Sequence, residues 1–265
     1  MKDCIMRKKS CVLSLLIIVS MTVISCKKDP DKSTFVDVEK EFNIQPWEKL
    51  TESGGTFQLQ ISTVKNQDCG GTGINTNFSS ANNKFVTTIL SLKKPANCTG
   101  SLSPAQDSVD LGQLPKGTYT ININLRDVVS NAGTLTVEDQ KFRLDMNKID
   151  GINVPKTEIF RVPKGLIWGS VSFDNAQNAV LAKFLDKLSK IATAVSDIPK
   201  GDYGYFNVKD ALNPDIKGQG TSSKPTTKSY IYYLTSTNSA LESIVKEYRD
   251  QGLELKFYTS DGKIF

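Results

Sequence analysis

Alternation with a period of two runs through the first half of this 265-residue chain and leaves little room for helices there. Phe57, Leu59 and Ile61 share one parity, separated by Gln58, Gln60 and Ser62. Tyr119, Ile121, Ile123 and Leu125 fall on one face, with Thr120, Asn122 and Asn124 on the other. Successive side chains of a strand point to opposite faces, so these are half-buried strands that need a second layer to cover them. The same reading gives strands at 85–92, 134–137 and 142–146, and nothing between 51 and 146 has a helical period. The stretch 67–83, rich in Gly, Asn and Ser, reads as solvated loops, with a ligand rim pinned by Cys69 as the alternative. An antiparallel all-β sandwich over 51–148 is the expected fold.

From about residue 160 the pattern changes. A strand over 166–173 is followed by helical spacing in which Leu181, Phe184, Leu188, Ile191 and Val195 form one stripe. Asp174 or Asn175 caps that helix, and Pro199 and Gly201 close it. Strands at 203–208 and 230–234 follow. A second helix starts at Ser239, with Glu242 completing a capping box, and stops at Gly252. Leu241, Ile244, Val245 and Tyr248 face inward, and a last strand covers 253–258. Strand, helix, strand, strand, helix, strand is the split βαβ, or ferredoxin-like, order, so 149–265 is expected to be an α+β domain. An irregular α+β arrangement is the alternative.

Residues 209–227 show no element, which is long for a compact domain. They read either as a ligand loop or as a concealed short hairpin. Tyr203, Tyr205, Tyr230 and Tyr232 lie on the flanking strands, with Tyr233 beside them. Tyrosine packs well in strands with its hydroxyl at the edge, and that structural role is the first account of them. An aromatic platform for a sugar or peptide is the second.

The amino terminus carries Lys2, Arg7, Lys8 and Lys9 against Asp3, then thirteen uncharged positions, 12–24. A charged start before a short greasy run is the pattern of an export signal. As a helix the run covers about 20 Å, short of the roughly 30 Å of bilayer hydrocarbon. Val23-Ile24-Ser25-Cys26 resembles a bacterial lipobox. The resemblance implies that residues 1–25 are removed and that Cys26 carries diacylglycerol and a further acyl chain, palmitate being typical. Two or more chains hold a protein stably where one does not. Lys27 to Lys32 is similar to the tether of lipoproteins from the Bacteroidota group, and 26–50 is expected as lipidated cysteine and tether. An outer-membrane lipoprotein, facing the periplasm or the cell surface, is what this implies. "LGQLPKGTYT", residues 111–120, is similar to the turn-strand units of extracellular immunoglobulin-like modules, and so the sandwich is expected to be immunoglobulin-like.

Removing residues 1–25 takes away four positive charges and one negative, so the formal +5 falls to +2. That balance gives no reason to expect nucleic acid as a partner. Of five cysteines, Cys4 and Cys11 leave with the signal and Cys26 is lipidated. Cys69 and Cys98 remain, an even pair for an oxidising compartment, and a disulfide between them is expected. With no histidine in the chain, the commonest general base and metal ligand are missing, and no metal or cofactor is expected. Asp202, Asp210 and Asp215 near the long loop are candidates for a carboxylate-dependent hydrolase, with solvated loop charges as the default. The expectation is a membrane-anchored, non-enzymatic binding or scaffold protein. Its partners are membrane lipid through Cys26 and a glycan or protein ligand. A structural subunit of a surface assembly and the hydrolase are the rivals.

Overall fold

The computed structural model describes residues 39–98, 100–195, 197–209 and 214–265. The export signal, Cys26, the tether up to residue 38 and Asp210 lie outside the described residues. The described residues pack as one unit, rich in strand, with two α-helices among them.

Ten strands come first: β1 (Phe42–Lys49), β2 (Thr56–Gln67), β3 (Gly73–Ala81), β4 (Lys84–Lys93), β5 (Ser103–Gly112), β6 (Gly117–Leu125), β7 (Val129–Val137), β8 (Lys141–Met146), β9 (Ile152–Asn153) and β10 (Glu158–Phe160). They hydrogen-bond into one sheet in the order β10-β8-β7-β6-β4-β3-β5-β2-β1-β9. Neighbours are antiparallel except β1–β9, β4–β6 and the single contact between β3 and β5. The sheet folds back on itself. Phe57 of β2 and Phe142 of β8 stand far apart in the strand order, yet their rings lie 4.9 Å apart, and a single apolar core draws on all ten strands.

Three expectations are corrected here. Residues 42–49, expected in the tether, form β1, whose inward parity reads Phe42, Ile44, Pro46, Glu48. Proline and glutamate on the buried face disguise a strand that pairs along its whole length with β2. The Gly- and Asn-rich stretch expected as loops contains β3, joined to β4 by Asn82 and Asn83 at φ 50° and 60°. Positive φ at both positions is the type I′ geometry that matches the twist of a hairpin, and asparagine tolerates it. The sheet also runs past residue 148 to take in β9 and β10.

The second half contains β11 (Leu166–Phe173), α1 (Asn178–Ser189), β12 (Ala192–Ala194), β13 (Gly201–Asp202), β14 (Phe206–Val208), β15 (Asp215–Ile216), β16 (Thr226–Leu234), α2 (Asn238–Arg249) and β17 (Glu254–Thr259). A four-stranded antiparallel sheet runs β12-β16-β11-β17. Every residue of β11 is buried, because both faces of this central strand are covered. Odd-numbered Ile167, Val171 and Phe173 pack under the helices with Leu181, Phe184, Leu188, Leu241, Val245 and Tyr248. At Gly169 the strands approach so closely that a Cβ would land on the Lys256 carbonyl and the Phe257 ring.

The helix boundaries differ from expectation. α1 stops at Ser189, and Ile191 receives a hydrogen bond at its carbonyl from Thr235 N–H, which draws the chain into the sheet as β12. Val195, expected in the helical stripe, is buried in a different core. For α2 the cap is Thr237, whose Oγ1 accepts from Ala240 N–H at 3.3 Å, so the expected capping box at Ser239 does not start the helix. The stretch 209–227 contains β15, which pairs with β14, so part of a short hairpin does sit there.

Candidate functional site

The four tyrosines weighed as an aromatic platform are split between the two sides of the four-stranded sheet. Tyr230 and Tyr232 share a parity on β16 and pack with the helical layer, their rings 6.2 Å apart. Tyr203 and Tyr205 join the opposite face, with Trp168, Phe206, Tyr233 and Tyr258. No single aromatic platform results. Tyr203 is 1% exposed and stacks on Phe206 at 4.8 Å and Phe160 at 5.3 Å, while its hydroxyl donates to Pro199 O at 2.8 Å. Burial pushes all four phenols above the ordinary tyrosine value.

Tyr205 shows what the second set does. Its ring lies 4.9 Å from Trp47 of β1 and 5.7 Å from Trp168 of β11, so it bridges the two halves of the molecule. Its hydroxyl donates to Glu48 O at 2.9 Å and accepts from Leu50 N–H at 3.4 Å. A phenol taken partly out of water needs a partner for its O–H, and here both bonds go to the end of β1. Sequence reasoning missed Trp47, Glu48 and Phe160 entirely. The only signal was the period-two parity of 42–48, which a buried glutamate and a proline obscure.

Where that seam meets the surface lies a cleft of about 570 Å³. The turn after β1 (Leu50–Gly55), the linker after β10 (Arg161–Lys164) and the tip after β17 (Ser260, Asp261) line it, together with Tyr203 and Tyr233. Glu48 is the buried charge in it, with 3% of its side chain exposed. Its Oε2 accepts from Val162 N–H at 2.6 Å, and the Arg161 guanidinium stands 3.6 Å from Oε1. Gly55 is required beside it, since a Cβ there would collide with the Glu48 carboxyl. The other acids are largely engaged: Asp139 pairs with Lys116 at 2.6 Å, and Glu52 with Lys263 at 3.0 Å. A polar cleft in which Glu48, Asp139 and Glu52 each stand beside a cation is suited to binding.

Burial raises the Glu48 carboxyl above its ordinary value of 4.5, and the bonds from Val162 and Arg161 offset only part of that. A carboxyl raised in the folded state contributes stability that is fully present below 4.5 and is lost as pH rises through the folded value. Glu48→Gln keeps an acceptor for Val162 N–H and removes the titration. The urea midpoint of the variant should therefore vary less with pH than that of the parent, from just below 4.5 up to neutral. Parallel profiles would contradict a raised Glu48.

The acids named from sequence are not brought together. Asp202 on β13 and Asp215 on β15 are separated by β14, each opposite Asn207 in register. Burial pushes the Asp202 carboxyl up, but bonds from Lys156, Lys217 and Gly204 N–H outweigh it and hold the group below the usual aspartate range. Asp202 is thus a strut between the β9–β10 connection, through Lys156, and the small sheet. Among the described residues no group of three His, Cys, Asp or Glu side chains is placed to hold a metal ion.

Cys69 and Cys98 form the expected disulfide, with Cα atoms 5.0 Å apart. Cys69 is buried just ahead of β3 and Cys98 is exposed beyond β4, so the bridge closes the base of that hairpin. No protein-family model, curated protein or solved structure matches the chain.

Proposed function

We propose that this protein is an extracytoplasmic lipoprotein, anchored through Cys26, whose folded part is a non-enzymatic binding module with the cleft between its halves as the ligand site. The observation that carries the reading is the Cys69–Cys98 bridge. Disulfides persist in oxidising compartments, and the export signal and lipobox-like Val23-Ile24-Ser25-Cys26 call for the same location on separate grounds. The cleft supports binding because aromatic side chains among convergent polar groups are what ligand sites are made of, and a glycan or short polar peptide fits such a lining.

On this reading the β-rich half is an immunoglobulin-like sandwich in which the two layers remain one continuous sheet. The second half is a split βαβ domain. Support for the latter is the strand order: numbering β11, β12, β16 and β17 from one to four, the sheet runs 2-3-1-4, with both helices on one side.

The location is tested at the amino terminus. Expressed with its own signal in a bacterial host, the mature chain should begin at Cys26 and carry acyl mass, and Cys26→Ser should release it from the membrane fraction. A mature chain without acyl mass, or one beginning beyond residue 26, would sink the reading. For the cleft, a glycan and peptide array should give saturable binding that Tyr233→Ala weakens and Tyr230→Ala, on the other side of the sheet, does not.

A further inference from the structure

Large apolar side chains left in solvent gather at one end of the β-rich half. Leu90, Leu92 and Val128 are 46%, 38% and 81% exposed and line one groove of about 470 Å³. Ile149, 44% exposed, belongs to the same end: its carbonyl accepts from the ammonium of Lys40, which lines the groove. A bulge at Leu90 causes the exposure. Asn75 pairs with Ser91 and Thr76 with Ile89, so Leu90 is the extra residue, and beyond it β4 turns out of the core. Soluble domains keep such patches small unless something covers them.

Two observations say what covers this one. Glu39 and Lys40, the first described residues, line the groove, and only twelve residues separate Cys26 from Glu39. Fully extended, that length of chain spans at most about 45 Å. The charges are the second observation. Arg126 lines the groove with its Nε bonded to Leu90 O at 3.3 Å, and exposed Lys93 and Lys94 follow Leu92 directly. Of the two acids in the lining, Glu39 is neutralised by Lys65 at 2.6 Å. Aliphatic tips with a cationic rim match the boundary between acyl chains and phosphate headgroups.

We propose that this end of the β-rich half is a bilayer-contact surface, in which Leu90, Leu92 and Val128 enter the headgroup region and Arg126, Lys93 and Lys94 meet lipid phosphates. The inference rests on the lipoprotein reading and adds an orientation to it. β1 leads from the groove at Phe42 to the cleft at Glu48, roughly 20 Å along the strand. Contact at one end therefore presents the cleft away from the membrane. A weak patch suffices for this, because the anchor holds it at high local concentration.

The test uses the whole mature chain from residue 26 with Cys26→Ser, so that no acyl group contributes, sedimented with phosphatidylethanolamine–phosphatidylglycerol vesicles. Saturable co-sedimentation is expected, falling about tenfold in Leu90→Asp/Val128→Asp through loss of apolar contact and repulsion from anionic lipid. Ile264→Asp, at a position 62% exposed in the other half, should bind as the parent does. Arg126→Gln/Lys93→Gln/Lys94→Gln leaves the apolar side chains in place and should abolish the salt sensitivity of binding. Absence of co-sedimentation, or equal loss in Ile264→Asp, overturns the proposal. So does a dimer in sedimentation velocity that Leu90→Asp/Val128→Asp dissolves, which would give the face to a second copy of the chain. Failure here leaves the acyl mass at Cys26 untouched, so the two readings fail separately.

Discussion

Trp168→Ala should cost about 3–5 kcal/mol, the range for deleting a large aromatic from a core. The indole is 1% exposed and sits at the centre of the aromatic seam, 5.1 Å from Phe206, 5.7 Å from Tyr205 and 5.9 Å from Tyr258. These partners come from the small sheet, from the turn that contacts β1, and from the last strand. A cavity at this point therefore removes support from three directions at once, and rigid ring neighbours collapse into it poorly. Trp168→Phe is the informative control. The buried Nε1–H has no hydrogen-bond partner among the described residues, so removing it relieves an unpaired donor while most of the ring volume stays. Its cost should be less than half that of the alanine variant. Urea unfolding followed by circular dichroism measures both, and Trp47, the other tryptophan, reports whether the β1 side of the seam loosens. A loss below about 1 kcal/mol for Trp168→Ala would mean that the seam is not what joins the two halves.

What could be read in advance follows from how each segment buries its side chains. β2, β6 and β8 face a core with one side and solvent with the other, so their alternation was plain. α2 was equally clear, because Leu241, Val245 and Tyr248 lie on one stripe and Gly252, at φ 93°, ends it. β1 was hidden because its inward positions include Pro46 and Glu48, and only tertiary partners make a buried glutamate tolerable: the Val162 N–H and Arg161. β3 was hidden because its outward positions Asn75, Asn77 and Ser79 have the composition of a loop. The split of the tyrosines could be reached by parity alone on β16, where residues 230 and 232 oppose 231 and 233. The placement of Tyr203 and Tyr205 could not, since the small sheet that carries them packs through contacts distant in sequence. For the same reason the cleft was not legible: its walls come from the turn after β1, the linker after β10 and the tip after β17.

Removing the disulfide should have the second large effect. Cys69→Ala/Cys98→Ala opens a loop whose ends are 29 residues apart, and the chain-entropy relation gives about 3.5 kcal/mol for that length. Cys69 is 1% exposed, so its replacement also leaves a small void, whereas Cys98 is exposed and packs little. The loss should fall unevenly across the molecule. The bridge closes the β3–β4 hairpin, and β3 meets β5 through only one backbone pairing, Gly73 with Gln106, at the end nearest Cys69. In the strand order that contact links the run from β10 to β3 with the run from β5 to β9. Reduction frees it first, so hydrogen exchange should accelerate in β3 and at the start of β5 well before β11 or the helices respond. Dithiothreitol applied to the parent should reproduce the double-alanine pattern. If exchange instead rose evenly through both halves, the bridge would be stabilising the unit as a whole, and the hairpin would not be its point of action.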